Sequence, residues 1–217
     1  MALGRRLPLT VLLFLLVLAL AACGGGSKKQ AAGCRSVTPP ATKPRTESKP
    51  TKRLDPAKTY NVLIATNCGD FTIRLAAKTS PATTASFASL VQKGFFSGTV
   101  FHRIVPGFVI QGGDPTGSGA GGPGYSTVDT PPASTRYTLG VVAMAKTGAE
   151  PPGTSGSQFF VVTAQDAQLP PDYAVLGKVV KGQAIVDKIG QLGDPASGSA
   201  GVPTETVEIE NATLTVH

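Results

Sequence analysis

The 217-residue chain contains no tryptophan, two histidines, two methionines and three cysteines. Each scarcity removes a class of chemistry. Two histidines and three cysteines, with no metal-ligand spacing among them, do not supply a four-ligand structural zinc site, so no metal is expected. Ser155 and Ser157 have no histidine nearby in sequence and no nucleophile-elbow pattern, which leaves hydrolysis without support. Gly117, Gly119 and Gly122 fit G-x-G-x-x-G, but Pro123-Gly124-Tyr125 follow where a dinucleotide site needs a helix, so no cofactor is expected. No internal repeat is visible, and the apolar run Leu7 to Ala22, 16 residues broken by Pro8 and Thr10, is short for a membrane span.

The chain also lacks a basic folded part. Its net charge is +7, yet residues 60–217 hold nine Lys and Arg against eleven Asp and Glu. The positive charge lies in residues 24–59, where nine Lys and Arg face only Glu47 and Asp55, and in Arg5 and Arg6. No nucleic-acid partner is therefore expected. Arg5, Arg6 and the apolar run that follows make residues 1–22 a secretory signal. It ends in Leu20-Ala21-Ala22-Cys23, which resembles the lipobox of bacterial lipoproteins, whose cysteine is lipidated and becomes the first residue after cleavage. An extracytoplasmic protein, anchored to the cell membrane by a lipid on Cys23, is expected. Residues 23–59, with Pro39, Pro40, Pro44, Pro50 and Pro56 among Lys, Thr and Ser, read as its tether. Cys34 and Cys68 remain, either bridged in an oxidising compartment or as two thiols, since no spacing rule decides a lone pair.

Residues 60–217 suit one domain. Alternation predicts strands at 60–66 and 71–75 around the turn Asn67-Cys68-Gly69-Asp70. Pro81 opens a helix with Ser80 as N-cap, a buried stripe of Phe87, Leu90 and Val91, and an end at Gly94. Further strands are predicted at 108–112, 140–145, 158–163, 174–180 and 205–216, with a second helix near 183–190. Gly and Pro in nearly every interval suit an all-β domain with few helices.

The domain is organised around Phe101-His102-Arg103-Ile104-Val105-Pro106-Gly107-Phe108-Val109-Ile110-Gln111-Gly112-Gly113-Asp114. Read as strand, Pro-Gly turn and strand, it puts Phe101, Arg103 and Val105 on one face, His102 on the other, and Val109 with Gln111 on a shared face of the second arm. Arg103 and Gln111 can then meet across the turn. An arginine and an amide in an apolar wall orient a peptide carbonyl and place an N–H near an amide nitrogen, but offer no nucleophile. The chemistry suggested is non-covalent.

This run resembles the signature of the cyclophilins, peptidyl-prolyl cis/trans isomerases, and Gly156-Ser157-Gln158-Phe159-Phe160 resembles their second signature. The resemblance runs from about Tyr60 to His217. It implies a closed eight-stranded antiparallel barrel with two helices, proline-containing segments of exported or envelope proteins as partners, and a monomer. It implies catalytic Arg103 and Gln111, and a substrate pocket of Phe108, Val109, Ala145, Lys146, Phe160, Gln168, Leu169 and Tyr173. Four positions depart from the usual pattern: Val109 replaces methionine, Lys146 asparagine, and Gln168 and Tyr173 the tryptophan and histidine of eukaryotic members. A binding module that holds proline segments without turnover is the competing expectation, against which Arg103 speaks, since a proline-binding groove needs only its aromatic wall.

Overall fold

In a computed structural model, residues 33–217 are described; the expected signal 1–22, the lipidation site Cys23 and tether residues 24–32 lie outside them. The first hairpin, β1 (Tyr60–Thr66) and β2 (Gly69–Leu75), buries alternate residues, as period-2 patterning requires. Helix α1 (Pro81–Gln92) follows, with Phe87, Leu90 and Val91 buried. Ser80 occupies its N-cap position, but the hydroxyl makes no capping bond. The Thr83 N–H donates instead to Asp129 Oδ2 at 2.6 Å, so a distant loop caps the helix. Then come β3 (Thr99–Val100), β4 (Arg103–Val105), β5 (Val109–Gly112), β6 (Thr127–Val128), β7 (Val141–Met144), β8 (Thr154–Ser155), β9 (Phe159–Val162), β10 (Val175–Lys181), helix α2 (Gln183–Gly190), a 3-10 segment (Pro195–Ala200) and β11 (Glu208–Val216). None of the described helices is long and apolar enough to cross a membrane.

Nine strands form one antiparallel sheet in the order β3-β11-β1-β2-β10-β7-β9-β5-β4, with β6 and β8 as a separate ribbon. The counts differ from the expected eight strands and two helices: nine strands share the sheet, and a 3-10 segment is added to the two α-helices. The sheet curls as a half-barrel whose end strands, β3 and β4, are consecutive in the chain and joined through Phe101 and His102, and a single bridge, Val100 to Asp114, carries the β4–β5 register onto β3. Over 99–105 the chain passes from β11 to β5: the Phe101 N–H still follows β11 by donating to the Val207 carbonyl, and the Ile104 N–H donates to the Gly201 carbonyl.

Alternation also divides the interior. Phe159 and Val161 of β9, Ile110 of β5, and Val142 and Met144 of β7 point into the main core beneath α1, where Phe87 meets Phe159 edge-on at 5.5 Å. Their neighbours Phe160, Val162, Val109 and Ala143 point the other way and build a second, smaller apolar cluster. Each fully buried Phe, Ile or Val contributes about 1.5–3 kcal/mol. One sheet thus carries a core on one face and a second apolar surface on the other.

The described part of the expected tether, residues 33–59, lies along the domain. Cys34 is bridged to Cys68 at the β1–β2 turn. The Arg35 N–H donates to the Asn67 carbonyl, and Lys43 and Glu47 N–H groups donate to the carbonyls of Pro115 and Pro123. Arg45 donates to the Phe95 carbonyl and lies over its ring, Leu54 packs against the main core, and the Asp55 N–H reaches the Tyr60 hydroxyl. A proline-rich, cationic composition matches a solvated chain equally well, because these contacts are made by backbone groups and by single side chains spaced several residues apart.

Candidate active site

Strands β4 and β5 are joined by the turn Val105–Val109, closed by the Phe108 N–H on the Val105 carbonyl at 3.0 Å. Gly107 adopts φ +69°, where an L side chain is strained, and the tight turn needs it. The register this sets places Arg103 directly opposite Gln111. Arg103 Nη1 donates to Gln111 Oε1 at 3.4 Å, and its Nε donates to the Ser199 carbonyl of the 3-10 segment at 3.0 Å. The guanidinium carbon stands 5.9 Å from the centre of the Phe108 ring. Burial lowers the Arg103 pKa from its ordinary value, with Tyr173 opposing the shift, but a guanidinium keeps its charge at neutral pH.

Beside this pair lies the second apolar cluster. It brings together six of the residues that the sequence assigns to the pocket: Val109 and Phe160 at its centre, with Phe108, Ala145, Leu169 and Tyr173 packed against them. Phe160 meets Tyr173 edge-on at 5.4 Å. Lys146 stands over the Tyr173 ring at 5.6 Å while its ammonium donates to the carbonyls of Thr147 and Glu150. Gln168 stands apart, exposed and in a left-handed conformation with φ +52°, its N–H held by Asp166 Oδ1.

Three groups that the sequence reading leaves out of the pocket complete it. Tyr137 is fully buried; its hydroxyl donates to the Tyr173 carbonyl at 2.7 Å and accepts the Tyr173 N–H at 2.9 Å, so it holds Tyr173 in place. Burial pushes its phenol up to about 12. Gln158 accepts from Gln111 Nε2 at 3.0 Å through Oε1, and its own Nε2 donates to the carbonyls of Gly119 and Gly121 at 3.0 and 2.9 Å. Asp114 sits under the same loop and accepts from the Thr116 N–H and hydroxyl and the N–H groups of Gly119 and Gly121. Burial alone would raise the Asp114 pKa, but these donors outweigh it and the net shift is downward. Gln158 carried a signal, as a lone amide inside the run Ser157-Gln158-Phe159-Phe160; Tyr137 and Asp114 carried none that singles them out.

A cavity of about 250 Å³ opens under the loop, meets the apolar wall at Ala145 and is bounded by Gln111, Gly119–Ser126, Lys146, Thr147, Glu150 and Gln158. Among the described residues no three His, Cys, Asp or Glu side chains converge as a metal site would require. Chemically, the arrangement offers one oriented cation, a chain of amides and an apolar wall. It can bind and polarise a peptide without bonding to it covalently.

Comparison with known proteins agrees with this geometry. The family profile described as "Cyclophilin type peptidyl-prolyl cis-trans isomerase/CLD" matches residues 61–214. The "Probable peptidyl-prolyl cis-trans isomerase B" of Mycobacterium tuberculosis is 39% identical over 191 residues, a match that covers 81% of this chain and 59% of the relative. The chain thus spans less than two thirds of that relative's length. Human "Peptidyl-prolyl cis-trans isomerase-like 1" is 37% identical over 156 residues, covering 70% of this chain and 90% of the relative. Among solved structures, a Cryptosporidium parvum cyclophilin type peptidyl-prolyl cis-trans isomerase, crystallised in the presence of the dipeptide Ala-Pro, superposes with a TM-score of 0.63 at 30% identity. It covers 71% of this chain and 98% of its own.

The other side of β4 generates a test. Both ring nitrogens of His102 are buried without a hydrogen-bond partner. Burial lowers the His102 pKa first of all, and Arg103 adds to the effect; Asp114 and the Val100 carbonyl, which falls short of hydrogen-bond geometry, oppose it. Between the native value and the unfolded value of about 6.5, the unfolded chain binds more protons, so stability is present above that window and lost as pH falls through it. The urea midpoint should therefore drop between about pH 7.5 and 5.5, and His102→Gln, which cannot take up a proton, should flatten the drop. Equal slopes in the two proteins would contradict a neutral, desolvated His102.

Proposed function

The chain belongs to the cyclophilin-type peptidyl-prolyl cis-trans isomerase family, and from that premise we propose that it catalyses rotation about X–Pro bonds in exported proteins, held to a membrane by a lipid on Cys23. The observation that carries the catalytic part is Arg103, a half-buried cation fixed by Gln111 and Ser199 at the edge of an apolar wall.

Rotation about an X–Pro bond is slow because resonance gives the C–N bond partial double-bond character, with a barrier of roughly 18–20 kcal/mol and times of tens to hundreds of seconds. Twisting the bond breaks that resonance and returns a lone pair to the prolyl nitrogen. In this reading the proline ring rests on Phe108, Val109, Phe160 and Leu169, with Ala145, Lys146 and Tyr173 around the rim and Gln168 exposed beyond it. Arg103 donates to the nitrogen only once it has become pyramidal, so the interaction is stronger in the transition state than in either ground state. The apolar wall keeps water from competing with that bond. Gln111, itself held by Gln158, keeps the guanidinium and the substrate carbonyl in register. Because Nε and Nη1 are already engaged by the protein, the fork is oriented before the substrate arrives and little ordering is left to be done on binding.

The exported setting is supported by the residues 1–22, by Cys23, and by the bridge between Cys34 and Cys68, which suits an oxidising compartment. Two measurements test the proposal. The full chain should accelerate isomerisation of a proline-containing peptide, and Arg103→Ala should lower kcat/KM by roughly 10- to 150-fold, the loss of one charge-assisted hydrogen bond, with the far-UV spectrum unchanged. Near-normal turnover by the folded variant would reject the mechanism. For the anchor, protein expressed in a bacterial host should partition into detergent and Cys23→Ser into the aqueous phase; equal partitioning would refute lipidation.

A further inference from the structure

The loop between Asp114 and Thr127 is held from two sides. On its inner side Gln158 Nε2 holds the Gly119 and Gly121 carbonyls and Asp114 holds the corresponding N–H groups. On its outer side the polypeptide before the domain does the same work. The Lys43 N–H donates to the Pro115 carbonyl at 3.1 Å, the Glu47 N–H to the Pro123 carbonyl at 2.9 Å, and the Lys49 ammonium to the Ser126 carbonyl at 2.8 Å. Thr46 packs on the loop so closely that a Cβ on Gly124 would lie 2.8 Å from its Cγ2.

That outer segment is itself fastened to rigid parts of the fold. Glu47 pairs with Lys93 just beyond α1 at 2.8 Å, Arg45 binds the carbonyl and ring of buried Phe95, and Cys34 is bridged to Cys68. Thirteen glycines of the domain have positive φ, and Gly117, Gly119 and Gly124 of this loop are among them. Such a loop has a large conformational freedom to lose and needs external partners to keep one shape. The match to the mycobacterial relative covers 81% of this chain against 70% for the human one, which is more than residues 60–217 supply. The matched region therefore begins before residue 60.

We propose that residues 43–49 are a positioning strap, which fixes the 115–126 loop from outside and so sets the shape of the cavity that receives the substrate residues next to proline. The inference rests on the isomerase reading for its substrate but on the fold alone for its mechanics. The strap touches neither Arg103 nor the apolar wall. It acts on binding of the flanking residues, not on rotation of the bond.

The test uses the full chain with three substitutions. Glu47→Pro deletes the N–H given to Pro123 together with the ion pair, Lys49→Met deletes the bond to Ser126 while keeping the apolar stem, and Glu47→Gln removes only the charge. For a tetrapeptide substrate, KM should rise about 2- to 10-fold in Glu47→Pro and Lys49→Met, with kcat within about twofold and Glu47→Gln like the parent. Amide hydrogen exchange at Gly119 and Gly121 should quicken in the same two variants. Lys49→Met keeps the test decisive if Glu47→Pro fails to fold. Unchanged KM and unchanged exchange in a folded variant would overturn the strap, as would a fall in kcat at constant KM. If the parent chain shows no turnover, the isomerase reading fails while faster exchange in the variants would still uphold the strap, and unchanged exchange would remove it.

Discussion

The site depends on one half-buried amide whose two N–H bonds and whose oxygen are all engaged by the protein. Gln158 gives both of its N–H bonds to the Gly119 and Gly121 carbonyls and accepts from Gln111, which in turn accepts from Arg103. A polar group placed this close to an apolar wall is costly unless satisfied, and a network in a low-dielectric setting is strong only when complete. Completion here has a structural consequence. It ties three separate pieces of chain, strand β5, strand β9 and the glycine-rich loop, into one assembly whose free end is a guanidinium.

The fold supplies what that assembly needs. Adjacent phenylalanines in β9 face opposite ways, so the strand that begins directly after Gln158 is anchored by Phe159 in the main core and contributes Phe160 to the pocket wall. Likewise β5 anchors itself with Ile110 and presents Val109 and Gln111. Core packing therefore fixes the positions of pocket residues to the accuracy of a strand register. The catalytic proposal asks for little more: a cation that is oriented but not neutralised, next to a surface that water does not wet. No carboxylate pairs with Arg103 in the described residues, and its protein partners are a carbonyl and an amide oxygen, both neutral.

Much of this was legible from residue order because it is local. The hairpin of β1 and β2, the stripe of α1, and the pairing of Arg103 with Gln111 follow from periods of 2 and 3.6 and from a Pro-Gly turn. What was not legible depends on contacts between distant segments. Ser80 looks like a helix cap, yet Asp129 caps the helix, because the loop bearing it happens to lie at the α1 start. Eight strands were expected and nine share the curled sheet, because the chain over 99–105 is split into one piece paired with β11 and another paired with β5. Residues 33–59 have the composition of a tether, and composition carries no trace of three bonds to a loop some 70 residues further on. Gln158 was visible only as part of a motif. Its role needs the loop carbonyls, which come from residues with no side chain to read.

The central claim is that the relay through Gln158 and Gln111 acts on catalysis by holding Arg103. It is tested most directly by a double-mutant cycle on kcat with Gln158→Leu and Arg103→Ala. If the relay works through the guanidinium, Gln158→Leu lowers kcat in the parent and has almost no further effect on kcat once Arg103 is alanine, because there is nothing left to orient, while KM rises in both backgrounds as the loop loses its inner bonds. Equal, additive losses in both backgrounds would contradict the account and make Gln158 an independent binding residue.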